Sequence, residues 1–287
     1  MVIIERMPRL AEPRARTQTH DADAPLVRHW DGTAWLRWVH QIRQTEFDGM
    51  MAHVPLDRGA RVLELGCGDG FQLGLLRQRF EHVFAIDPSR RPVNAAEFVF
   101  AIAEALPFPD GYFDLIVSNC VLEHLQDRPR GIEEAVRVLR PRGYMAHVVP
   151  SRYWKATSLL LNPIGYPFRV LEKWFDIRRA RNSGQRPEDP LMDAERWERP
   201  GIFEVLGRWV YPPIHGTYPS HWLEYKYYGR KHWIRLFTHP KLEVKAEVLL
   251  PCVTQFGLLR FRLLSLRKWL GCHGADSSRA FVLQKMA

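Results

Sequence analysis

The apolar residues of the chain recur with two different periods, and the change of period predicts where strands and helices alternate. Residues 35–54 repeat apolar positions at helical spacing, which predicts a helix ahead of the first strand. Short apolar runs predict the first three strands, at 61–65, 82–86 and 98–103. Residues 71–80 predict a helix between the first two strands. Strands that alternate with helices in this way are typical of a parallel sheet covered by helices.

The same alternation continues through the rest of the chain, with one interruption. The later elements are a strand, a helix and a strand, followed after a gap by a helix and two strands, at 112–119, 131–139, 144–149, 228–238, 242–250 and 278–286. Residues 151–227 lie in the gap and do not follow the alternation.

Residues 61–70, RVLELGCGDG, join the first predicted strand to a glycine-rich turn. Glycine lets the backbone approach a ligand where a side chain would clash, and the N-terminus of the next helix faces that ligand. Phe71 stands where a dinucleotide fingerprint has its third glycine, and no Gly-Lys-Ser/Thr triplet follows. The loop therefore predicts a cofactor with ribose and amino-acid parts, which S-adenosylmethionine fits. Asp87, one βα unit later, is placed to accept both ribose hydroxyls.

Four ordered motifs extend this prediction beyond the glycine loop. They read LELGCGDG, AIDPS, AEALPFPDGYFDLIVSNCVLEHL and VLRPRGYMAHVVPS. Over residues 35–150 the chain resembles the class I S-adenosylmethionine-dependent methyltransferases, in particular the branch that includes ubiquinone and menaquinone biosynthesis methyltransferases. The resemblance implies an α/β fold, a Rossmann-like seven-stranded sheet with six parallel strands, an antiparallel last strand and helices on both faces. It also implies that residues 151–227 form a cap inserted after strand five.

We therefore predict four regions along the chain. They are an N-terminal arm, a cofactor-binding methyltransferase core, an inserted cap or substrate region, and a C-terminal part of the core with strands six and seven, at 1–34, 35–150, 151–227 and 228–287. Within the cap, residues 151–177 are rich in aromatic and apolar side chains. Residues 178–200 have the polar, charged and proline-containing composition of a surface loop.

The resemblance also assigns parts of the cofactor to particular residues. Glu64 and Gly66 would border its methionine end, and Asp87 would hold its ribose. The Ala103 amide would address the adenine, and the Asn119 carbonyl would face the methionine amino group. The full predicted cofactor set is Glu64, Gly66, Cys67, Gly68, Gly70, Asp87, Pro88, Ala103, Glu104, Ala105 and Asn119.

One departure from the family pattern concerns the adenine. Many relatives carry an aspartate, which receives the adenine amino group, where this chain has Ile102. Either Glu104 or the backbone alone would then read the adenine, so we expect relaxed selectivity at this position.

Methyl transfer requires few protein groups, because the methyl already sits on a good leaving group. A base is needed only for a neutral hydroxyl, amine or activated carbon. His124 is a candidate base because it follows the fourth strand, at the end where ligands collect in open α/β sheets; a purely structural histidine is the alternative. His215 and His221, with Glu224 nearby, are further candidates in the cap. We predict a polar wall or a structural loop there and no metal, since zinc needs three or four converging ligands.

Composition and charge restrict the class of protein further. A chain with 46% hydrophobic and 25% charged residues has ordinary globular content. Its net charge of +9 attracts polyanions, but no RNA-binding module is recognisable, so a solvated basic surface is favoured over a nucleic-acid partner. The four cysteines lie far apart without a C-x-x-C pair, which argues against a disulfide framework and favours a cytoplasmic location. The first twenty residues lack the apolar core of a signal peptide.

Two apolar patterns remain to be placed. The aromatic residues between 211 and 233 favour a cap core over a wall that binds a ring-shaped ligand. Residues 256–270 carry a helical stripe of four leucines, Leu259, Leu263, Leu266 and Leu270. For this stripe we favour burial on the sheet over peripheral contact with an anionic membrane.

Together these patterns predict S-adenosylmethionine-dependent methyl transfer to a small-molecule acceptor. The leading acceptor is an oxygen of a glycan, glycolipid or secondary metabolite, and a carbon of a quinone or isoprenoid precursor is second. Methylation of RNA or protein, and a non-catalytic cofactor-binding role, are the alternatives from other classes.

Overall fold

The computed structural model describes residues 34–88, 97–182, 207, 210–252 and 264–287. The strands in these ranges are β1 (Arg61–Leu65), β2 (His82–Asp87), β3 (Phe98–Phe100), β4 (Phe113–Asn119), β5 (Leu139–Pro150), β6 (Leu242–Leu249) and β7 (Ser278–Lys285). The helices are α1 (Ala34–Met51), α2 (Phe71–Arg79), α3 (Arg128–Val138), α4 (Arg152–Asn182), α5 (His221–Tyr227), α6 (Arg230–Phe237) and α7 (Leu264–Leu270), with a 3-10 turn at Leu122–His124. Each strand predicted from the sequence is present.

The strands form a single seven-stranded sheet in the order β3-β2-β1-β4-β5-β7-β6. From β3 along the sheet to β5, each strand is parallel to its neighbour. Strand β7 runs antiparallel to both of its neighbours, β5 and β6. Six strands are therefore parallel and the last is antiparallel, which confirms the predicted fold class. The order reverses between β1 and β4, and ligands of open α/β sheets bind at the carboxyl ends of strands at such a reversal.

Side chains alternate between two hydrophobic layers, one on each face of the sheet. In β4, Ile116 belongs to the layer that contains Trp233 and Phe237 of α6, whereas Leu115 and Val117 belong to the layer beneath α1 and α2. Parallel strands buried on both faces need apolar residues on both, which explains the continuous apolar runs in the sequence.

Two boundaries differ from the sequence prediction, and both have a local cause. Helix α3 begins at Arg128, three residues before the predicted start, because the Asp127 side chain caps it by accepting a hydrogen bond from the Arg130 amide at 3.0 Å. Strand β5 begins at Leu139, which pairs with Phe113 before an irregularity in the ladder. Residues 140–143 fall between the predicted helix at 131–139 and the predicted strand at 144–149, and in the structure they lie within the strand.

The predicted cap is described only in part. Helix α4 runs for 31 residues, so the first five residues of the loop predicted at 178–200 are helical and that part of the prediction is wrong. The remainder, 183–200, lies outside the described residues. The four predicted region boundaries stay predictions.

The aromatic residues between 211 and 233 lie partly in the core and partly on the surface. Tyr218, Tyr228 and Trp233 are buried, whereas Tyr211 and Trp222 are exposed.

The leucine stripe is only partly described, because Leu259 and Leu263 lie outside the described residues. In α7 the predicted burial is wrong for Leu266, which is exposed, while Arg267 is buried and donates to the Cys252 carbonyl at 3.1 Å. Within the described ranges, no helix combines the length and apolarity that a bilayer-spanning segment needs.

Candidate functional site

The candidate site lies where β1 and β4 end, at the reversal of strand order. The loop after β1 and the turn after β4 meet there, and a Cβ on Gly66 would stand 2.6 Å from Cγ2 and 3.1 Å from Cγ1 of Val121. Gly66 also has a φ of 67°, in the left-handed region that side chains rarely adopt. Both observations explain why the sequence has glycine at this position.

The glycine loop is held by the neighbouring strand. The amides of Gly66 and Cys67 donate to the Ile86 carbonyl at 2.8 and 3.2 Å, and Gly70 is the N-cap of α2. The Gly68 amide donates to the Asp87 carboxylate at 2.9 Å. The strand end and the loop are thus fixed to each other, and Asp87 lies next to the glycine loop. Its role in holding the ribose stays a prediction.

Glu64 is the buried acid of the site. It is 2% exposed, and its Oε2 has no hydrogen-bond partner among the residues that the structure describes. Burial, followed by the nearby Asp69 carboxylate, raises the pKa of Glu64 to about 8. A buried carboxyl group with an unused oxygen beside a glycine loop fits the positively charged methionine end of S-adenosylmethionine.

The remaining predicted cofactor residues lie around the carboxyl ends of β2 and β3. Pro88 and Ala105 are exposed, and Ala103 is buried. Glu104 accepts hydrogen bonds at Oε1 from the amides of Gln126 and Asp127, at 2.9 and 3.4 Å. This oxygen is engaged with the backbone. The choice between Glu104 and the backbone for adenine readout stays a prediction.

Helix α1 contributes polar groups that the sequence analysis did not single out. It crosses the carboxyl edge of the sheet, where His40 stacks on Phe71 with ring centroids 4.0 Å apart and bonds to Asp69 at 3.2 Å. One turn further along, Arg43 donates to the side-chain oxygen of Asn119. The position of α1 over the cofactor edge agrees with the helix predicted at 35–54.

Arg43 and Glu46 together hold the end of β4. The Arg43 guanidinium pairs with Glu46 at 3.1 Å and donates to the Cys120 sulfur at 3.4 Å, while Glu46 accepts from the Asn119 amide group at 3.1 Å and from Ser278 Oγ at 2.6 Å. Cys120 itself has a φ of 54°, which is rare for a residue with a side chain. The only sequence signal was the spacing of His40, Arg43 and Glu46, three residues apart on one side of a helix.

The turn after β4 brings together three polar side chains. Glu123 is fully buried, and its Oε1 lies 3.2 Å from Nε2 of His215. The His124 ring packs edge-on against the His215 ring, with centroids 4.6 Å apart. Partial desolvation lowers the pKa of His124. Two of the three predicted candidate bases are therefore neighbours, with a carboxylate that the sequence analysis did not select.

A loop of the cap is docked on this turn. The Thr217 amide donates to the Glu123 carbonyl at 3.1 Å, and Arg128 bridges the same carbonyl and the Thr217 hydroxyl at 2.8 and 2.7 Å. The Tyr228 hydroxyl donates to the His215 carbonyl at 2.6 Å. A Cβ on Gly216 would stand 2.5 Å from the Glu123 carbonyl oxygen. Close backbone contact therefore fixes His215 beside Glu123.

His221, the third predicted candidate base, has different partners. Its Nδ1 lies 2.9 Å from Lys155 Nζ, and Lys155 forms a buried ion pair with Glu224. Desolvation lowers the pKa of Lys155 and of His221. His215, His221 and Glu224 therefore do not form one cluster, because His221 and Glu224 contact Lys155 whereas His215 contacts Glu123. The Lys155–Glu224 pair joins α4 to α5.

The buried acid gives a test of the site in the cofactor-free protein. Because the pKa of Glu64 is raised from 4.5 to about 8, the folded chain keeps a proton that the unfolded chain loses between these pH values. This contribution to stability is present below pH 4.5 and is lost as the pH rises to 8. We expect Glu64→Gln to stabilise the protein relative to wild type increasingly over this interval, by at least about 1.4 kcal/mol.

Urea unfolding at pH 5 and pH 8 measures this difference. Glu81→Gln is the matched control, since Glu81 is exposed and pairs with Arg58 across 3.2 Å at the surface. If the difference in free energy of unfolding between Glu64→Gln and wild type were the same at pH 5 and pH 8, Glu64 would be ionised in the folded protein.

Comparison with known proteins agrees with this geometry. Residues 63–147 match a family model described as a methyltransferase domain. The trans-aconitate 2-methyltransferase of Azoarcus sp. (strain BH72) is 30% identical over 58% of this chain and 64% of its own length. The ubiquinone biosynthesis O-methyltransferase of Xylella fastidiosa (strain 9a5c) is 28% identical over 50% of this chain and 63% of its own length.

A solved structure supports the fold over a longer range. Geranyl diphosphate methyltransferase in complex with SAM superimposes with a TM-score of 0.52, at 13% identity, over 91% of this chain and 94% of that chain. The chain spans less than two thirds of the length of the two curated relatives described above. Taken with the sheet order and the glycine loop, the match over residues 63–147 shows that this chain carries a class I S-adenosylmethionine-dependent methyltransferase domain, whose cofactor is S-adenosylmethionine.

Proposed function

We propose that the protein transfers a methyl group from S-adenosylmethionine to an oxygen of a small-molecule acceptor. The observation that carries the proposal is the docking of the cap loop at 215–217 on the turn after β4, directly beside the glycine loop. This contact brings His215 to Glu123 and His124, which lie on that turn at the carboxyl edge of β4, the edge at which the cofactor residues lie.

At the cofactor end, the chain supplies a preformed cradle. When bound, S-adenosylmethionine brings a methyl group on a sulfonium leaving group, so that positioning and exclusion of water are the main requirements. Glu64, with its unused oxygen, would face the positive methionine end. Asp87, fixed by the Gly68 amide at 2.9 Å, would hold the ribose. Beyond it the exposed side chains of Phe100 and Ile102 offer an apolar surface to the adenine.

At the acceptor end, polar groups surround the place where a hydroxyl must lose its proton. The Glu123–His215 pair, with its 3.2 Å contact, orients the imidazole. Trp154 packs against His215 with ring centroids 5.3 Å apart and supplies an aromatic wall. A hydroxyl acceptor needs such a group, whereas an acceptor that is already ionised does not.

The name of one relative also supports oxygen as the acceptor atom. The Xylella fastidiosa relative is an O-methyltransferase by its name, and a proton acceptor close to the cofactor edge suits a hydroxyl better than an unactivated carbon. Carbon methylation of a quinone precursor, RNA methylation and a purely cofactor-binding role are the outcomes that the following experiment distinguishes.

The cofactor half of the proposal is tested by calorimetry with S-adenosylmethionine, S-adenosylhomocysteine and NAD. We expect the first two to bind and NAD not to bind. Asp87→Ala should weaken S-adenosylmethionine binding by about tenfold or more, or roughly 1.4 kcal/mol, because it removes a charge-assisted contact. Asp57→Ala, at an exposed position, is the matched control and should bind as wild type does. Equal affinities in both variants would contradict the assignment of Asp87.

The acceptor half is tested with labelled S-adenosylmethionine and a panel of saccharides, glycolipids, phenols, quinone precursors and RNA, read by mass spectrometry. We expect label on an oxygen of a small molecule. Label on a quinone carbon or on RNA would replace this proposal. Tight cofactor binding without labelling of any acceptor would favour the non-catalytic role.

A further inference from the structure

We propose that Glu123, His124 and His215 bind one divalent transition-metal ion, and that the open coordination positions of this ion receive the acceptor oxygen. The site rests on residues of the described chain, whereas its role in the reaction rests on the proposed function above. It departs from the sequence prediction of no metal, which considered His215 together with His221 and Glu224.

The three side chains converge closely enough for a shared ion. One ligand atom from each, a carboxylate oxygen and two imidazole nitrogens, lies within 4.8 Å of the other two. Ligands of a tetrahedral zinc ion at 2.0 to 2.1 Å are roughly 3.4 Å from one another. The Glu123–His215 contact of 3.2 Å already meets this spacing. His124 must approach further, and its exposed side chain has the freedom to rotate.

A second, independent observation points to a cation. Glu123 is 0% exposed, yet its Oε2 has no hydrogen-bond partner among the described residues. Burial of an unpaired carboxylate oxygen is costly unless a partner compensates it, and a metal ion is such a partner. Arg128 donates to the Glu123 carbonyl, and Arg43 donates to Asn119 and Cys120. Among the described residues, neither guanidinium hydrogen-bonds to the unpartnered Oε2.

The ligand set indicates which ions would bind and what they would do. Two imidazoles and one carboxylate, with positions left open, are the set of catalytic zinc sites, and imidazole also suits other late divalent ions. A hydroxyl bound to such an ion loses its proton to water more readily. The new C–O bond then forms as the S–C bond breaks, with S-adenosylhomocysteine as the leaving group. With the ion bound, Glu123 and His215 would activate the acceptor through the ion, and this would replace the direct acceptance of the proton by His215 described above.

The surrounding structure holds this site in place. Thr217 and Gly216 press against the Glu123 backbone, and the Tyr228 hydroxyl fixes the His215 carbonyl. Ligands held by hydrogen bonds and packing in this way bind a metal with less reorganisation than ligands on free loops. The three ligands come from two segments, the turn after β4 and the docked cap loop.

The test uses the full chain after treatment with a chelator, titrated with Co²⁺. Binding is followed by visible absorption and by quenching of tryptophan fluorescence, since Trp154 packs against His215. We expect one equivalent to bind, with affinity reduced at least about tenfold in His215→Ala and in His124→Ala. Zn²⁺ should displace the Co²⁺. His53→Ala, at an exposed histidine far along the sequence, is the matched control and should bind as wild type does.

His124→Ala keeps the test valid if His215→Ala prevents folding, because His124 is exposed. Equal Co²⁺ affinity in the wild type, His124→Ala and His215→Ala would overturn the metal site, as would the absence of any binding by the wild type. Calorimetry with S-adenosylmethionine on the same samples separates the two proposals. Acceptor methylation that persists in chelator would overturn the metal role alone, whereas stoichiometric Co²⁺ binding without methylation of any acceptor would support the site and contradict the proposed function.

Discussion

Replacing Gly66 with alanine is expected to reduce affinity for S-adenosylmethionine at least about a hundredfold, equivalent to roughly 2.7 kcal/mol. The added Cβ meets two obstacles. The φ of 67° is unfavourable for any residue with a side chain, at a cost of about 1–2 kcal/mol. Both methyl groups of Val121 also face this position at 2.6 and 3.1 Å, so that rotation of Val121 replaces one methyl with the other. The loop must therefore move away from the place where the cofactor binds.

The two obstacles can be separated experimentally. Gly111→Ala is the matched control, because Gly111 has a similar φ of 63° but its nearest contact, the Arg140 Cα, is at an ordinary 3.8 Å. It should lower the melting temperature and leave cofactor affinity unchanged. Adding Val121→Ala to Gly66→Ala removes both methyl groups and should restore part of the affinity. Calorimetry measures each variant, and an unchanged affinity in Gly66→Ala would contradict the position of the cofactor beside this loop.

Replacing Gly216 with alanine is expected to have its large effect on the acceptor side. The added Cβ would lie 2.5 Å from the Glu123 carbonyl oxygen and 3.1 Å from its carbon, at a φ of 90°. Backbone atoms cannot rotate away as a flexible side chain can, so the loop must separate from the turn after β4. The hydrogen bond from the Thr217 amide to Glu123, now 3.1 Å, would be lost. We expect acceptor turnover to fall at least about a hundredfold, or roughly 2.7 kcal/mol, while cofactor affinity stays within a few-fold.

Gly274→Ala is an unusually close control for this variant. Gly274 has a φ of 92°, yet a Cβ there would meet nothing within 4 Å. Both variants introduce the same backbone strain, and only Gly216→Ala introduces the contact with Glu123. Hydrogen exchange of the Thr217 amide reports undocking of the loop directly, without knowledge of the acceptor. Equal protection of this amide in the two variants would show that the loop does not depend on the close approach of Gly216.

Together the two glycine variants separate the site into two halves. Gly66 lies in the loop that faces the cofactor, and Gly216 lies in the cap segment that faces the acceptor. The sequence motifs identified the cofactor half of the site. For the acceptor half they supplied only candidate histidines.

The sequence by itself determined the sheet and the cofactor loop. Strands buried on both faces must be apolar along their length, so runs such as 61–65 and 82–86 are visible without any knowledge of the packing. The glycines, and an acid at the end of β2, follow directly from local backbone needs and from the position of a residue within its own element. Asp127 shows that even a local signal can be missed, since this N-cap places the start of α3 at Arg128, three residues before the predicted start.

Only the tertiary structure decided which polar residues meet. Arg43 reaches Asn119 across 76 positions, and Glu123 reaches His215 across 92. Periodicity states which face of an element is polar, but not which other polar face it contacts, because that depends on how distant elements pack. The sequence therefore paired His215 with His221, its neighbour along the chain, whereas packing of the cap loop against β4 paired it with Glu123 and His124. The acceptor side of this site arises from contacts between distant segments, for which a single sequence carries no local signal.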